Sequence, residues 1–273
     1  MAADYRELRE LALVVAREAG ALVAGHRAAG VRVADTKSSS TDIVTEADTA
    51  SEELIRTRLL HARPGDGFVG EEGADVAGDS GVRWVVDPID GTVNYFLGLP
   101  NYAVSIAAAI GDDMVVGVVL NPATGEEYVA ELGAGATRDG RPIRVREARP
   151  VPRMVVSTGF SYEPAVRATQ AAAVARLLTE VADIRRFGSC ALDLCAVADG
   201  RADAYVEEGV RPWDHAAGAL IAQEAGARVG WGIGASGRTL VTAAPEPAYD
   251  GFAAVVERCG LALPGTGIDG RGA

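Results

Sequence analysis

The chain has 273 residues, 48% of them apolar and 23% charged, a globular composition that excludes disorder throughout and leaves room for two modest subdomains sharing a cleft. A net charge of -12 excludes a surface that draws in nucleic acid or anionic membrane, and no apolar run approaches the roughly 20 residues of a membrane span. Met1 to Glu10 lack a signal-peptide core, and Cys190, Cys195 and Cys259 show neither zinc spacing nor a disulfide framework, so a soluble cytoplasmic protein with reduced thiols is expected.

In chain order, Tyr5 to about His26 predicts an amphipathic helix, with Leu8, Leu11, Val15, Ala19, Leu22 and Val23 at helical spacing and Gly30 to end it. Thr36 to Thr41 reads as a polar loop and Asp42 to Thr45 as a short extended piece. Asp48 to about His61 predicts a second helix, and Pro64 to Gly67 a turn. Phe68-Val69 leads into Gly70-Glu71-Glu72-Gly73, followed by a surface loop over Ala74 to Gly81. Trp84-Val85-Val86 predicts a buried strand that stops at Asp87. Tyr102 to Ile110 and Met114 to Leu120 predict a hairpin about Gly111 to Asp113. Glu127 to Ala130 and Ala136 to Val145, with an Asp139-Gly140 turn, extend this β-rich stretch.

Ala148 to Pro152 sets the boundary between an α+β half, 1–148, and an α/β half, 149–263. In the second half a strand at Met154 to Ser157, helices at Pro164 to Ala182 and Ala191 to Ala198, a strand at Ala204 to Val206, a helix at Trp213 to Ala225 and a sheet region from Val229 take turns, which is the α/β pattern. The tail, 264–273, is expected to be disordered.

The sharpest local signal is Asp87-Pro88-Ile89-Asp90-Gly91-Thr92. An apolar run delivers the first acid to a strand end, Pro88 suits a tight turn, and Gly91 permits close backbone approach. Two acids three positions apart across such a turn can converge, and a divalent cation removes their repulsion. Glu71 after Gly70, and Asp214 after Trp213 at a helix start, are set in similar surroundings. All-oxygen ligation favours Mg²⁺, with Mn²⁺ as an option. His215 is expected to point to another side of its helix. Bland alternatives exist for each piece: a capped turn, a helix N-cap at Asp214, a solvated Glu71-Glu72 loop. Their joint occurrence outweighs these.

At these residues the sequence resembles the inositol monophosphatase family. Trp84 to Asn94 (W-V-V-D-P-I-D-G-T-V-N) is similar to its first signature and Trp213 to Leu220 (W-D-H-A-A-G-A-L) to its second. Gly70-Glu71-Glu72 matches its G-E-E, Val44 to Asp48 its V-T-x-x-D, and Gly188 to Ala191 its G-S/T-A-A run. The likeness spans roughly Leu8 to Leu261. It implies a layered αβαβα sandwich of the sugar-phosphatase type, a homodimer, and a lithium-sensitive phosphatase of a small phosphorylated polyol.

Residue by residue, the resemblance implies that Glu71, Asp87 and the Ile89 carbonyl hold one Mg²⁺, and that Asp87, Asp90 and Asp214 hold a second, with Glu71 helping to place a third, weak one. It implies that Thr92, bonded to Asp48, orients and deprotonates the attacking water, with Glu71 as a further catalytic residue, and that Gly91 and Thr92 N–H groups hold phosphate oxygens. Gly188, Ser189, Cys190, Glu207, Asp90 and Asp214 would face substrate, and Lys37 would approach the site. Cys190 stands where Ala is common and His215 where an apolar residue is common, which bears on polyol choice. Sister enzymes acting on histidinol phosphate, fructose 1,6-bisphosphate or 3′-phosphoadenosine 5′-phosphate are the first alternative, since fold does not fix substrate. Val93 to Phe96 followed by Gly98-Leu99-Pro100 favours the inositol branch. A binding or regulatory protein retaining the fold is the second alternative, and the intact ligand set argues against it.

Overall fold

The computed structural model describes residues 4–36, 43–263 and 267–268. Its elements run α1 (Tyr5–Ala29), β1 (Val33–Thr36), β2 (Ile43–Thr45), α2 (Glu46–Ala62), β3 (Gly67–Gly70), β4 (Val82–Asp90), α3 (Thr92–Leu97), β5 (Ala103–Ile110), β6 (Asp113–Leu120), β7 (Glu127–Glu131), β8 (Gly135–Arg138), β9 (Arg141–Pro142), β10 (Val155–Thr158), α4 (Pro164–Leu177), β11 (Asp183–Arg185), α5 (Cys190–Ala198), β12 (Ala204–Glu208), α6 (Pro212–Glu224), β13 (Ala227–Ile233), β14 (Thr239–Pro245) and α7 (Glu246–Arg258).

Two main sheets carry the fold. The first has seven strands in the order β3-β4-β5-β6-β7-β8-β9; β3 runs parallel to β4 and every later pair is antiparallel. The second has five, in the order β11-β10-β12-β14-β13. There β10 runs parallel to both β11 and β12, and the remaining pairs are antiparallel. The second half is therefore a mixed sheet, because the β13–β14 hairpin turns back beside β12.

Three cores define the layers. Leu8, Val15 and Val23 of α1 and Ile55 and Leu59 of α2 pack with Trp84, Ile106 and Val118 on one face of the seven-stranded sheet. The other face meets α5 and α6, which also cover one side of the five-stranded sheet through Tyr205, Val229 and Val241. Beyond it, α4 and α7 close the last core with Leu177, Phe252 and Val256. Helices, sheet, helices, sheet, helices: the chain folds as an α/β layered sandwich.

The central helix layer is squeezed between two sheets, and small residues make the room. A Cβ on Gly117 of β6 would lie 2.7 Å from the Ala217 carbonyl oxygen of α6, and one on Gly218 would lie 3.0 Å from the Ala191 carbonyl oxygen of α5. This close seating fixes where the first turn of α6, with Asp214, comes to rest.

Some expectations need correction. The helix from Pro164 ends at Leu177, and Asp183–Arg185 form strand β11. Strand β4 continues through Asp87 to Asp90. Within the segment expected to be disordered, Ile268 is 6% exposed and packs into the third core; Gly230 and Gly232 leave its slot open, a Cβ on either meeting Ile268 atoms at 3.1 and 3.5 Å. Residues 264–266, 269–273, and Lys37 with the rest of the 37–42 loop lie outside the described residues.

Gly117→Ala is expected to lower stability by about 1–3 kcal/mol through overpacking against α6. Urea unfolding should show a lower midpoint with unchanged slope.

Candidate active site

Strand β4 delivers Asp87 and Asp90 to one end of the seven-stranded sheet. Gly91 then turns the chain into α3 with φ of 94°, in the left-handed region open to glycine. A Cβ there would also lie 2.9 Å from the carbonyl oxygens of both Asn101 and Gly188. Glu71 follows the end of the neighbouring strand β3, and Asp214 sits in the first turn of α6. These four acids line one pocket of about 430 Å³, together with Ile89, Thr92, Gly188, Cys190 and Glu207.

Each aspartate is held through one oxygen. The Ile89 N–H donates to Asp87 Oδ1 at 3.0 Å. The Ser189 hydroxyl and the Ala191 N–H donate to Asp90 Oδ2 at 2.6 and 2.7 Å. The Arg211 N–H donates to Asp214 Oδ2 at 2.6 Å. Asp87 and Asp90 are buried, at 1% and 8% exposure. Burial, then the neighbouring Glu71, Asp90 and Asp214 carboxyls, pushes the Asp87 pKa well up. Burial likewise raises Asp90 to about 6, and burial followed by the charges of Glu71 and Asp90 raises Asp214.

A group of carboxyls that repel one another and offer oxygen alone suits a hard divalent cation. Among the described residues no three His, Cys, Asp or Glu side chains already close into a cation cage. The fit rests on the donor chemistry: an oxygen-only set, part-fixed by backbone and hydroxyl donors, whose charge nothing in the set itself balances. Cys190 is unsuited to ligation as it stands, since burial, then Glu207, holds its thiol far above the usual range. His215 packs edge-on against Trp231 at 6.0 Å, and burial lowers it to about 4.

Asp48, fully buried at the start of α2, stands behind the acids. It accepts from the Thr45 N–H at 2.8 Å and from the Thr45 hydroxyl. Thr92 Oγ1 lies 3.0 Å from Asp48 Oδ1 and 3.0 Å from the Ile89 carbonyl. Burial raises Asp48 to about 6 against these bonds. On the far wall, the Tyr205 hydroxyl lies 3.0 Å from Cys190 Sγ and donates to Glu207 Oε2 at 3.1 Å. Glu207 is raised to about 7 by burial, opposed by Arg186 and Tyr205.

Several contributors escaped the sequence reading. Asn94 Nδ2 donates to the Asn101 and Phe187 carbonyls, both at 2.7 Å, and so stitches α3 to the loop before α5. Glu52 accepts from the Glu72 N–H at 2.7 Å and props up the Gly70–Gly73 turn. The rim carries Arg186, Arg211 and Arg238, so the positive field for an anion does not depend on bound ions alone. Their positions 25 or more residues apart gave no local signal; the Asn94 position within the first signature did.

Residues 4–254 match the inositol monophosphatase family. An inositol-1-monophosphatase SuhB of Mycobacterium tuberculosis is 45% identical over 275 residues, covering 93% of this chain and 95% of that protein. The Nus factor SuhB of Escherichia coli is 40% identical over 218 residues, covering 79% and 82%. The crystal structure of the extragenic suppressor protein suhB from Bartonella henselae superposes with a TM-score of 0.84 at 33% identity, covering 92% of this chain and 99% of that one.

A divalent cation that binds this acid group is expected to raise the melting temperature by about 5–10 °C when present about 100-fold above its Kd. Thermal scans with magnesium, manganese or calcium salts against EDTA check this. Glu72→Gln should keep the shift and Asp214→Asn should reduce it.

Proposed function

We propose that this chain, which belongs to the inositol monophosphatase family, hydrolyses inositol 1-phosphate or a closely similar phosphorylated polyol with Mg²⁺ as its cation. That the chain is a phosphoric monoester hydrolase follows from the family. The substrate, the metal and the residue roles are our reading. One observation carries it: Glu71, Asp87, Asp90 and Asp214 line the same pocket as Thr92, whose hydroxyl is within hydrogen-bond reach of the buried Asp48.

In this reading Glu71, Asp87 and the Ile89 carbonyl would hold one ion, and Asp87, Asp90 and Asp214 a second, with Glu71 helping to place a weak third. Such ions, when bound, lower the pKa of water and offset charge on phosphate and on the departing oxygen. The Thr92 hydroxyl donates toward Asp48 and keeps lone pairs to accept from the attacking water, which orients it. Asp48 stands ready to take up a proton through Thr92. Backbone N–H groups of Gly91 and Thr92 would bond phosphate oxygens. Gly188, Cys190 and Glu207 would receive the polyol, with Tyr205 fixing the Glu207 carboxyl. Ser189, expected beside them, is 1% exposed and outside the pocket lining, and its hydroxyl serves the site by holding Asp90.

We keep the homodimer as part of this reading. Phe96, Leu97 and Leu99 lie side by side in chain and are 42%, 62% and 50% exposed, an apolar strip that supports association. We likewise place the protein in the cytoplasm on its three buried free cysteines. Among the described residues no helix is long and apolar enough to cross a membrane. A second reading, a binding or regulatory protein that keeps the fold, is favoured by the name of the Escherichia coli relative, a Nus factor.

Phosphate release from inositol 1-phosphate, histidinol phosphate and fructose 1,6-bisphosphate, side by side with magnesium, tests the reading. Inositol 1-phosphate is expected to give the highest kcat/KM. Asp90→Asn should lower kcat by about two orders of magnitude, the scale of losing one electrostatic partner of the transition state. Preference for another substrate would move the protein to a sister branch, and no turnover of any would favour the binding role.

A further inference from the structure

Helix α2 turns one buried polar face to the site. Asp48, Ser51 and Glu52 stand at i, i+3 and i+4, the spacing that brings side chains together on one helix face, and Glu52, the most exposed of the three, is 3% exposed. Each reaches a different arm of the pocket. Asp48 meets the Thr92 hydroxyl at 3.0 Å. The Ser51 hydroxyl donates to the Pro88 carbonyl, between Asp87 and Ile89, at 3.3 Å. Glu52 Oε2 accepts from the Glu72 N–H, one residue past Glu71, at 2.7 Å. Burying such groups costs free energy unless each meets a partner. Here every partner lies on a segment that carries a site residue.

The Glu52 carboxylate does more than accept one bond. A Cβ on Gly70 would lie 2.5 Å from Glu52 Oε2 and 2.8 Å from the Phe68 ring, and one on Gly73 would lie 2.6 Å from Glu52 Oε1 and 3.0 Å from Arg56 Nη1. Neither glycine has a positive φ, so the course of the backbone does not call for glycine at 70 or 73. Space does, and the Glu52 carboxylate takes it: one oxygen is seated against each glycine, and Oε2 also takes the N–H that lies between them. Glu71 is thus carried on a four-residue turn that a single buried carboxylate grips from behind.

We infer that Glu52 is a positioning residue for Glu71: its carboxylate fixes the Gly70–Gly73 turn so that Glu71 enters the pocket beside Asp87. With Asp48 and Ser51 on the same face, α2 becomes the common support of three arms of the site. The role rests on the cation reading given above, in which Glu71 is a ligand. A group one step behind a ligand sets its direction, and losing one lowers metal affinity by about 10–100-fold. Without the grip the turn samples more conformations, and that freedom has to be given up on binding.

The test follows Mn²⁺ uptake by the full chain through the electron paramagnetic resonance signal of the free ion, a readout that needs no substrate. Glu52→Ala is expected to raise the Mn²⁺ concentration for half-saturation about tenfold, and Glu52→Gln, which keeps an acceptor oxygen in the same seat, to stay within about threefold of wild type. Gly73→Ala, which displaces the carboxylate without removing it, should weaken uptake in the same direction. Glu53, the exposed neighbour on α2, is the control, and Glu53→Ala should match wild type. Because Glu52 acts through Glu71, adding Glu52→Ala to Glu71→Gln should weaken uptake by less than about twofold more. Unchanged half-saturation in Glu52→Ala, or its full loss repeated in the Glu71→Gln background, overturns the role. Should Glu52→Ala fail to fold, unchanged uptake by Gly73→Ala overturns it. A wild type that takes up no Mn²⁺ overturns the cation reading and this role together.

Discussion

Four carboxyls brought to one cleft are the constraint on which the rest of this structure depends. Glu71, Asp87, Asp90 and Asp214 come from two strand ends and a helix start, and packing gives them no freedom to spread apart. Like charges in a low-dielectric pocket raise one another's pKa, and burial together with Glu71, Asp90 and Asp214 raises Asp87 in this way. The surrounding bonds do not neutralise this charge. They fix one oxygen of each aspartate and leave the set as a whole short of positive partners, which is a demand a divalent cation answers.

That constraint explains why the two sheets cannot be treated as separate. Asp90 belongs to the seven-stranded sheet, yet both donors to its Oδ2 come from the turn that opens α5. Asn94 repeats the link from the other side by binding the Phe187 carbonyl. Asp214 arrives on α6, whose seating between the sheets relies on Gly117 and Gly218. A shift of the central helix layer would therefore move one acid relative to the other three. Stability of that layer and shape of the site are one problem.

Much of this was legible in the sequence, and the reason differs by residue. Asp87, Asp90 and Thr92 were readable because a strand pattern, a proline and a glycine stand in one short run. Alternation and turn residues placed β5, β6 and β7 within a residue or two. The pairing of Thr92 with Asp48 spans 44 positions and came only from the resemblance. Helix α7 was not legible although Tyr249, Phe252, Val255 and Val256 are its buried face, because β14 runs directly into it at Glu246 with no loop to mark the change of period. Strand β11 was absorbed into the preceding helix, as its three residues carry too little pattern. The rim arginines were unreadable in the sequence, since convergence is a property of the fold.

The central claim is that the clustered acids are a cation site. Anomalous diffraction at the manganese edge, from crystals grown with Mn²⁺, tests it most directly. The account predicts anomalous peaks within the main pocket, one bound by Glu71, Asp87 and the Ile89 carbonyl and another by Asp87, Asp90 and Asp214. Manganese bound elsewhere on the chain, with these four carboxyls left without a peak, would contradict it.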